Sequence, residues 1–214
     1  MSRFSILLGG EITVTPALRA AVAGTRVIAA DWGIRHASAL GLVPELWVGD
    51  FDSVSETDIA AHEEIPRAVY PPEKDQTDGE LAIDAALKEG ATSLVMVGAF
   101  GGARADHTYL HLAQALTLAE RGLSAFLTSG SQEGRPLLPG KHRFDYAEGT
   151  LFSLLAFSEL TGLTVTGAQW PLDSVTVPFG SSLTLSNRVT GRLGIELGGG
   201  RALLIAHVLP EAEG

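Results

Sequence analysis

The chain changes character partway along, and that change constrains its fold more than any other feature. Through the first 128 residues, short apolar runs alternate with stretches of helical character. Phe4 to Leu8, Arg26 to Ala30, Leu46 to Val48, Ala68 to Tyr70, Leu94 to Val97 and Ala125 to Leu127 read as strands. Between them, Thr15 followed by Pro16 marks a helix start, and Gly24, Gly90 and Gly122 mark helix ends. Thr77-Asp78-Gly79-Glu80 fits a capping box, in which the Thr hydroxyl and the Glu carboxylate satisfy each other's backbone N–H groups. Strands that are apolar on both faces and separated by helices predict a mostly parallel sheet covered on both sides. After Ser129 the helical stretches stop. β-rich runs starting near Leu151, Thr161, Leu183, Arg192 and Ala202, punctuated by Gly, Pro and Asp, predict an antiparallel sandwich or barrel. SGSQEG, residues 129–134, reads as the linker. The expected organisation is therefore an N-terminal α/β domain over 1–130 and a C-terminal β-sandwich domain over 131–214.

Composition narrows the function. Of the 214 residues 45% are hydrophobic and 19% charged, which supports a packed core and argues against disorder. The formal net charge of −10 argues against a nucleic-acid backbone or an anionic membrane as partner. There are no cysteines, so disulfides, thiolate nucleophiles and zinc–thiolate sites are excluded. The apolar stretch in MSRFSILLGG is too short for a signal peptide. No run approaches the ~18 apolar residues of a membrane span. A cytoplasmic protein is expected.

A parallel sheet places its ligands outside the carboxyl ends of its strands. Asp31 follows the second strand, and Asp50 and Asp52 follow the third. Asp75 and Asp78 flank Thr77, and Asp106 opens the helix after GAFGGARA. These loops are expected on one edge, so six carboxylates would meet there, joined by Lys74 and Arg104. Crowded carboxylates repel one another, and a hard cation removes the conflict. Magnesium takes one or two carboxylates together with phosphate oxygens. The Gly101-Gly102 turn and the helix start near Asp106 offer N–H groups to an anion, and Arg104 offers planar donors. Metal, phosphate and guanidinium together point to phosphoryl-type transfer.

Taken singly, each acid has a plainer reading. Asp50 and Asp52 fit an Asx turn, Asp78 suits a helix dipole, Asp106 suits a cap, and Asp31 solvates a loop. Their joint arrival on one sheet edge favours a site. His107 and His111 have the spacing of a helical zinc pair, but the intervening Glu and a third ligand are missing. Neither GxxxxGK[ST] nor GxGxxG occurs. Trp47 and Phe51 read as core, while Glu11 and His36 receive no assignment.

Four ordered blocks resemble the thiamine pyrophosphokinase family: AADWGIRHASALGLVPELWVGDFDS, KDQTDGELAI, GGARADH and GAQWPLDSVTVPFGSSLTLSN. GDFDS alone is moderately specific, whereas the four in order are strongly so. The resemblance implies transfer of diphosphate from ATP to the hydroxyl of thiamine, giving thiamine diphosphate and AMP, with Mg2+. It implies an α/β domain for ATP, a β-sandwich that helps to hold thiamine, and a homodimer with sites between subunits. By motif match, Asp31, Asp50, Asp52, Asp75, Asp78 and Asp106 form the metal and catalytic cluster, with Asp50, Asp52 and Asp78 as metal ligands. Lys74, Thr77 and Arg104 serve the phosphates, and Ser186 and Asn187 face thiamine. Either Asp78 or Asp106 accepts the hydroxyl proton.

Three positions depart from the family pattern. Trp32 stands where Gly is usual, so an indole borders the first acidic loop, either stacking on the nucleotide base or narrowing the pocket. Ala103 replaces a Gly before Arg104, and Arg188 stands where Glu is common. No carboxylate is lost. Two rival readings are a pyrophosphokinase for a pterin alcohol and a nucleotide-binding sensor without turnover.

Overall fold

The structure is a computed structural model describing residues 2–52, 54–71, 73, 75–102 and 104–208. It resolves into two compact units. One spans Met1–His111 and Leu127–Gly130, the other Leu112–Phe126 and Ser131–Gly214. The α/β character of the first and the antiparallel strands of the second match the expected fold class.

In the first unit, β1 (Ser2–Leu7), β2 (Arg26–Ala30), β3 (Leu46–Gly49), β4 (Arg67–Val69) and β5 (Ala91–Val97) form a parallel sheet. Their spatial order is β5-β1-β2-β3-β4. Phe4, Ile6, Leu7, Ile28, Trp47, Leu94 and Met96 are all buried to 1% exposure or less, because both sheet faces are covered. The edge strand β4 is three residues long and mostly exposed, the short form in which edges avoid unwanted pairing. The helices are α1 (Pro16–Val22), α2 (Arg35–Leu40), α3 (Glu56–Ala61) and α4 (Asp78–Lys88). A fifth helix, α5 (Ala105–Glu120), begins in this unit. The expected caps are present: Thr15 Oγ1 accepts from Leu18 N, and Thr77 and Glu80 complete a capping box at α4.

Chain order runs outward from β1 through β2, β3 and β4, whereas β5 lies on the other side of β1. The order therefore reverses between β1 and β5, and a crevice opens there outside the carboxyl ends. The loops after these two strands approach closely. Leu8 N donates to Val97 O at 2.8 Å, and Gly10 N to Gly98 O at 3.0 Å. A Cβ on Gly10 would lie 2.4 Å from the carbonyl oxygens of both Gly98 and Phe100, so only glycine fits.

After Ser129 the expected linker is shorter than SGSQEG, because Gln132 already begins strand β7 (Gln132–Leu137), preceded by β6 (Ser124–Thr128). Arg135 and Pro136 disguised β7, since proline cannot donate to a ladder and demotes a run as a strand. Beyond it lie β8 (Gly140–Phe144), β9 (Leu151–Ala156), β10 (Leu160–Ala168), β11 (Leu172–Val177), β12 (Asn187–Leu197) and β13 (Ala202–His207). β12 serves two sheets. Asn187 and Arg188 pair with β9, while Leu193–Leu197 pair with β8 and its length also pairs with β10. β13 lies between β7 and β9. Phe152, Leu154, Leu163, Val165, Leu193, Ile195 and Leu204 fill a shared core, as in a sandwich. The expected strand at Leu183 is instead a turn. Leu185 N donates to Ser182 O, the Thr184 hydroxyl donates to Leu154 O, and Leu183 and Leu185 project outward. Alternating Leu and Thr imitate a strand without the burial that would make one.

A 3-10 turn, Asp31–Ile34, links β2 to α2 and presses on β1. A Cβ on Gly33 would lie 2.0 Å from the Leu7 carbonyl oxygen, a backbone atom with no room to yield. Gly33→Ala is therefore expected to destabilise the protein by about 1–3 kcal/mol or more. The midpoint of urea unfolding measures this, and an unchanged midpoint would contradict the packing described.

Candidate active site

Two neighbouring hollows in the first unit share Gly9, Asp31, Trp32, His107 and His111. The larger, about 690 Å3, is lined also by Gly10, Arg35, His36, the Gly101-Gly102 turn and Arg104. The smaller brings in Thr77, Asp78 and Gly79 at the start of α4. The combined crevice is of the size that binds a nucleotide-sized ligand, and it sits at the β1/β5 reversal.

The acidic loops owe their form to Trp47. Its indole is fully buried, and its N–H donates to the Asp31 carbonyl at 2.9 Å. Its ring meets Phe51 edge-on, with centroids 4.9 Å apart. Asp31 and Phe51 have φ of 42° and 61°, left-handed values that cost a non-glycine residue on the order of 1 kcal/mol or more. Strained backbone at the ends of two adjacent strands is characteristic of a functional site. Gly49 closes the space between them: a Cβ there would be 3.5 Å from the Asp31 carboxylate. Asp52 N donates to Asp50 Oδ1 at 3.3 Å, the closed loop expected of an Asx turn.

Of the expected residues, Asp31, Thr77, Asp78 and Arg104 line the crevice. Asp106 is drawn to it through Arg104, whose Nε and Nη2 donate to both carboxylate oxygens at 2.7–3.2 Å. That bidentate bond holds the Asp106 carboxyl well below the usual carboxylate range, which makes it a weak proton acceptor. Asp50 is half-buried and Asp52 exposed on the loop after β3; Asp75 is exposed before the α4 cap. None of these three is in the lining. The Thr77 hydroxyl donates to Glu80 Oε2 at 3.0 Å and accepts from Glu80 N. Lys74 and Ala103 lie outside the described residues. Among the described residues, no three His, Asp or Glu side chains form a ready-made metal cage. The hard carboxylates at the ends of β2 and β3 and at α4 nevertheless match magnesium, which needs only one or two of them beside phosphate oxygens and water.

The second unit holds Ser186 and Asn187. Ser186 has φ of 58°, and its N–H donates to Ser153 Oγ at 2.9 Å. Asn187 is buried and clamps the backbone of Trp170: its Oδ1 accepts from Trp170 N and its Nδ2 donates to Trp170 O, at 3.1 and 2.8 Å. Trp170 and Phe179 stand largely exposed in the same unit.

Several lining groups carried no clear sequence signal. His36 Nε2 donates to Gly10 O at 2.8 Å, bracing the loop after β1. His111 is buried, and its Nδ1 donates to Ala99 O at 3.4 Å, bracing the loop after β5. The i, i+4 spacing of His107 and His111 reflects this lining role, with the rings edge-to-face at 6.4 Å. Arg35 joins them from the first turn of α2.

A family model described as "Thiamin pyrophosphokinase, catalytic domain" matches residues 21–127, and one described as "Thiamin pyrophosphokinase, vitamin B1 binding domain" matches residues 141–198. The chain is 30% identical over 194 residues to the thiamine pyrophosphokinase of Bacillus subtilis, covering 88% of this chain and 90% of that one. The crystal structure of thiamine pyrophosphokinase from Bacillus subtilis superimposes with a TM-score of 0.83 at 25% identity, covering 98% and 100% of the two chains. Thiamin pyrophosphokinase from Candida albicans shares the fold, with a TM-score of 0.80 at 16% identity over 97% and 89% of the chains. The protein is thus a transferase of α/β and β-sandwich build. It belongs to the thiamine pyrophosphokinase family.

Burial holds both His36 and His111 below the ordinary imidazole pKa. As pH falls through about 6.5, these groups take up protons in the unfolded chain before they do so in the folded one. Their contribution to stability is present above that pH and is lost as pH falls through the folded values. The melting temperature should therefore drop between pH 7.5 and 5.5, and less steeply in the double variant His36→Gln/His111→Gln. Parallel curves would contradict the assignment.

Proposed function

We propose that the protein transfers diphosphate from ATP to the hydroxyl of thiamine, giving thiamine diphosphate and AMP, with magnesium. The observation that carries this reading is the meeting of Asp31, Thr77, Asp78 and Arg104 around one crevice at the sheet's reversal point, within the segment matched by the catalytic family model. Asp50, Asp52 and Asp78 would hold the metal, with Asp31 and Asp75 beside them. When bound, the ion neutralises charge on the polyphosphate.

The chain's own part is positioning and charge complementarity. The Gly101-Gly102 turn and Arg104 offer donors to the phosphates, Thr77 fixes the start of α4 beside them, and Lys74, outside the described residues, would add a cation. The thiamine oxygen forms a bond to the β-phosphorus, the bond from that phosphorus to the α,β-bridging oxygen breaks, and AMP leaves. Either Asp78 or Asp106 accepts the hydroxyl proton, Asp106 only once the phosphates draw Arg104 away from it. The β-sandwich, with Ser186 beside the Trp170 clamp formed by Asn187, serves thiamine. Residues 1–130 then act as the ATP domain and 131–214 as the thiamine domain. In a two-fold dimer the two surfaces would meet across subunits, giving two equivalent composite sites. The composition supports a cytoplasmic enzyme, and among the described residues no helix is long and apolar enough to cross a membrane.

Incubation with magnesium, ATP and thiamine, followed by separation of nucleotides, tests the reaction. AMP should form in step with thiamine diphosphate, and stoichiometric ADP would refute the transfer. In the same assay Asp50→Asn and Asp52→Asn should each lose most turnover, on the order of 100-fold or more for a group acting at the transition state. Their melting temperatures should stay near that of the parent, and near-normal activity in either variant would remove it from the site.

A further inference from the structure

Trp32 departs from the family pattern, and its surroundings give it a specific role. The Arg35 guanidinium carbon lies 3.4 Å from the centroid of the indole ring, so the two groups stack face to face. Both line the larger hollow together with the Gly101-Gly102 turn and Arg104. The indole is 39% exposed, unusual for so large an apolar group in a chain that buries Trp47 completely.

Gly9 leaves room beside Trp32: an added Cβ there would come only to 3.6 Å from Trp32 Cβ, an ordinary van der Waals contact. Arg35 Nη2 lies 3.8 Å from Asp58 Oδ2, and that carboxylate accepts a 2.7 Å bond from Ser55 Oγ. The guanidinium carbon thus sits over the indole with the Asp58 carboxylate in ion-pair range of its edge, and a surface already assembled before the ligand arrives binds at a smaller entropic cost. His36, the third planar group nearby, has its Nε2 committed to Gly10 O.

We propose that Trp32 and Arg35 form a flat, cationic shelf on which the base of the nucleotide co-substrate stacks; this rests on the reading of the crevice as the ATP site. Stacking on aromatic and guanidinium planes accepts any base, because every base has a π-face. Arg35 also brings positive charge to a ligand whose other end is a polyphosphate. The shelf rewards the presence of a base and discriminates little between adenine and guanine.

Calorimetric titration with Mg-ATP, Mg-GTP and Mg-tripolyphosphate, which has no base, tests the shelf in the parent protein and in Trp32→Gly, Trp32→Phe and Arg35→Ala. Trp32→Gly should weaken both nucleotides by about 5- to 150-fold, the range for loss of one stacked base, and leave tripolyphosphate unchanged. Trp32→Phe should recover most of the loss, and Arg35→Ala should fall between. Unchanged nucleotide affinity in folded Trp32→Gly and Arg35→Ala would overturn the shelf while leaving the ATP site standing. An equal loss for tripolyphosphate would also overturn it, since Trp32 would then act on the phosphate loops. If Trp32→Gly does not fold, Trp32→Phe and Arg35→Ala carry the same comparison. Failure of the parent protein to bind either nucleotide would overturn the ATP site itself, and the shelf with it.

Discussion

A single hydrogen bond organises the acidic edge of the sheet. The buried indole of Trp47 donates to the carbonyl of Asp31 while its ring supports Phe51. The contact spans two adjacent strands, and both partners occupy left-handed backbone. Breaking it would leave a buried N–H without its acceptor, at a cost of about 1–3 kcal/mol. It would also release two strained residues, each free to relax toward an ordinary conformation. Trp47 thus acts as a positioning residue: it touches no expected ligand, yet it sets the direction in which Asp31, and through the Gly49–Phe51 segment Asp50, leave the sheet.

The other side of the crevice depends on close backbone approach. Gly10 packs against Gly98 and Phe100, and Gly33 against Leu7, at distances that exclude a side chain. His36 and His111 brace the same loops. Rigid loops at a topological reversal suit a reaction in which the protein contributes geometry and charge more than covalent chemistry. Arg104 is committed to Asp106 at an exposed position, where the pair is worth little to stability. A polyphosphate competing for Arg104 therefore meets little resistance.

Legibility from sequence followed the physics of each feature. Strands apolar on both faces between capped helices leave few alternatives to a covered parallel sheet, and the loops bearing Asp31, Thr77, Asp78 and Arg104 could be placed on one edge from that alone. The β-rich half was harder. The first three residues of β7 fall within the expected linker 129–134 and Arg135 and Pro136 disguise the rest, while Leu183–Ser186 alternates like a strand but turns back through Ser182 and Thr184. The Asn187 amide is bonded to the Trp170 backbone, a pairing 17 residues away that no local pattern encodes. Arg35, His36 and His111 were invisible as a group because they meet only where loops from separate strands converge.

The proposed nucleotide site is the reversal between β1 and β5. Hydrogen exchange with and without Mg-ATP tests it most directly, because it reports on backbone amides throughout the chain. Added Mg-ATP should slow exchange at Asp31–His36, Gly49–Asp52, Asp78–Glu80 and Gly98–Gly102, and leave the strands of the β-sandwich unchanged. Protection confined to the β-sandwich, with none at these four loops, would contradict the account.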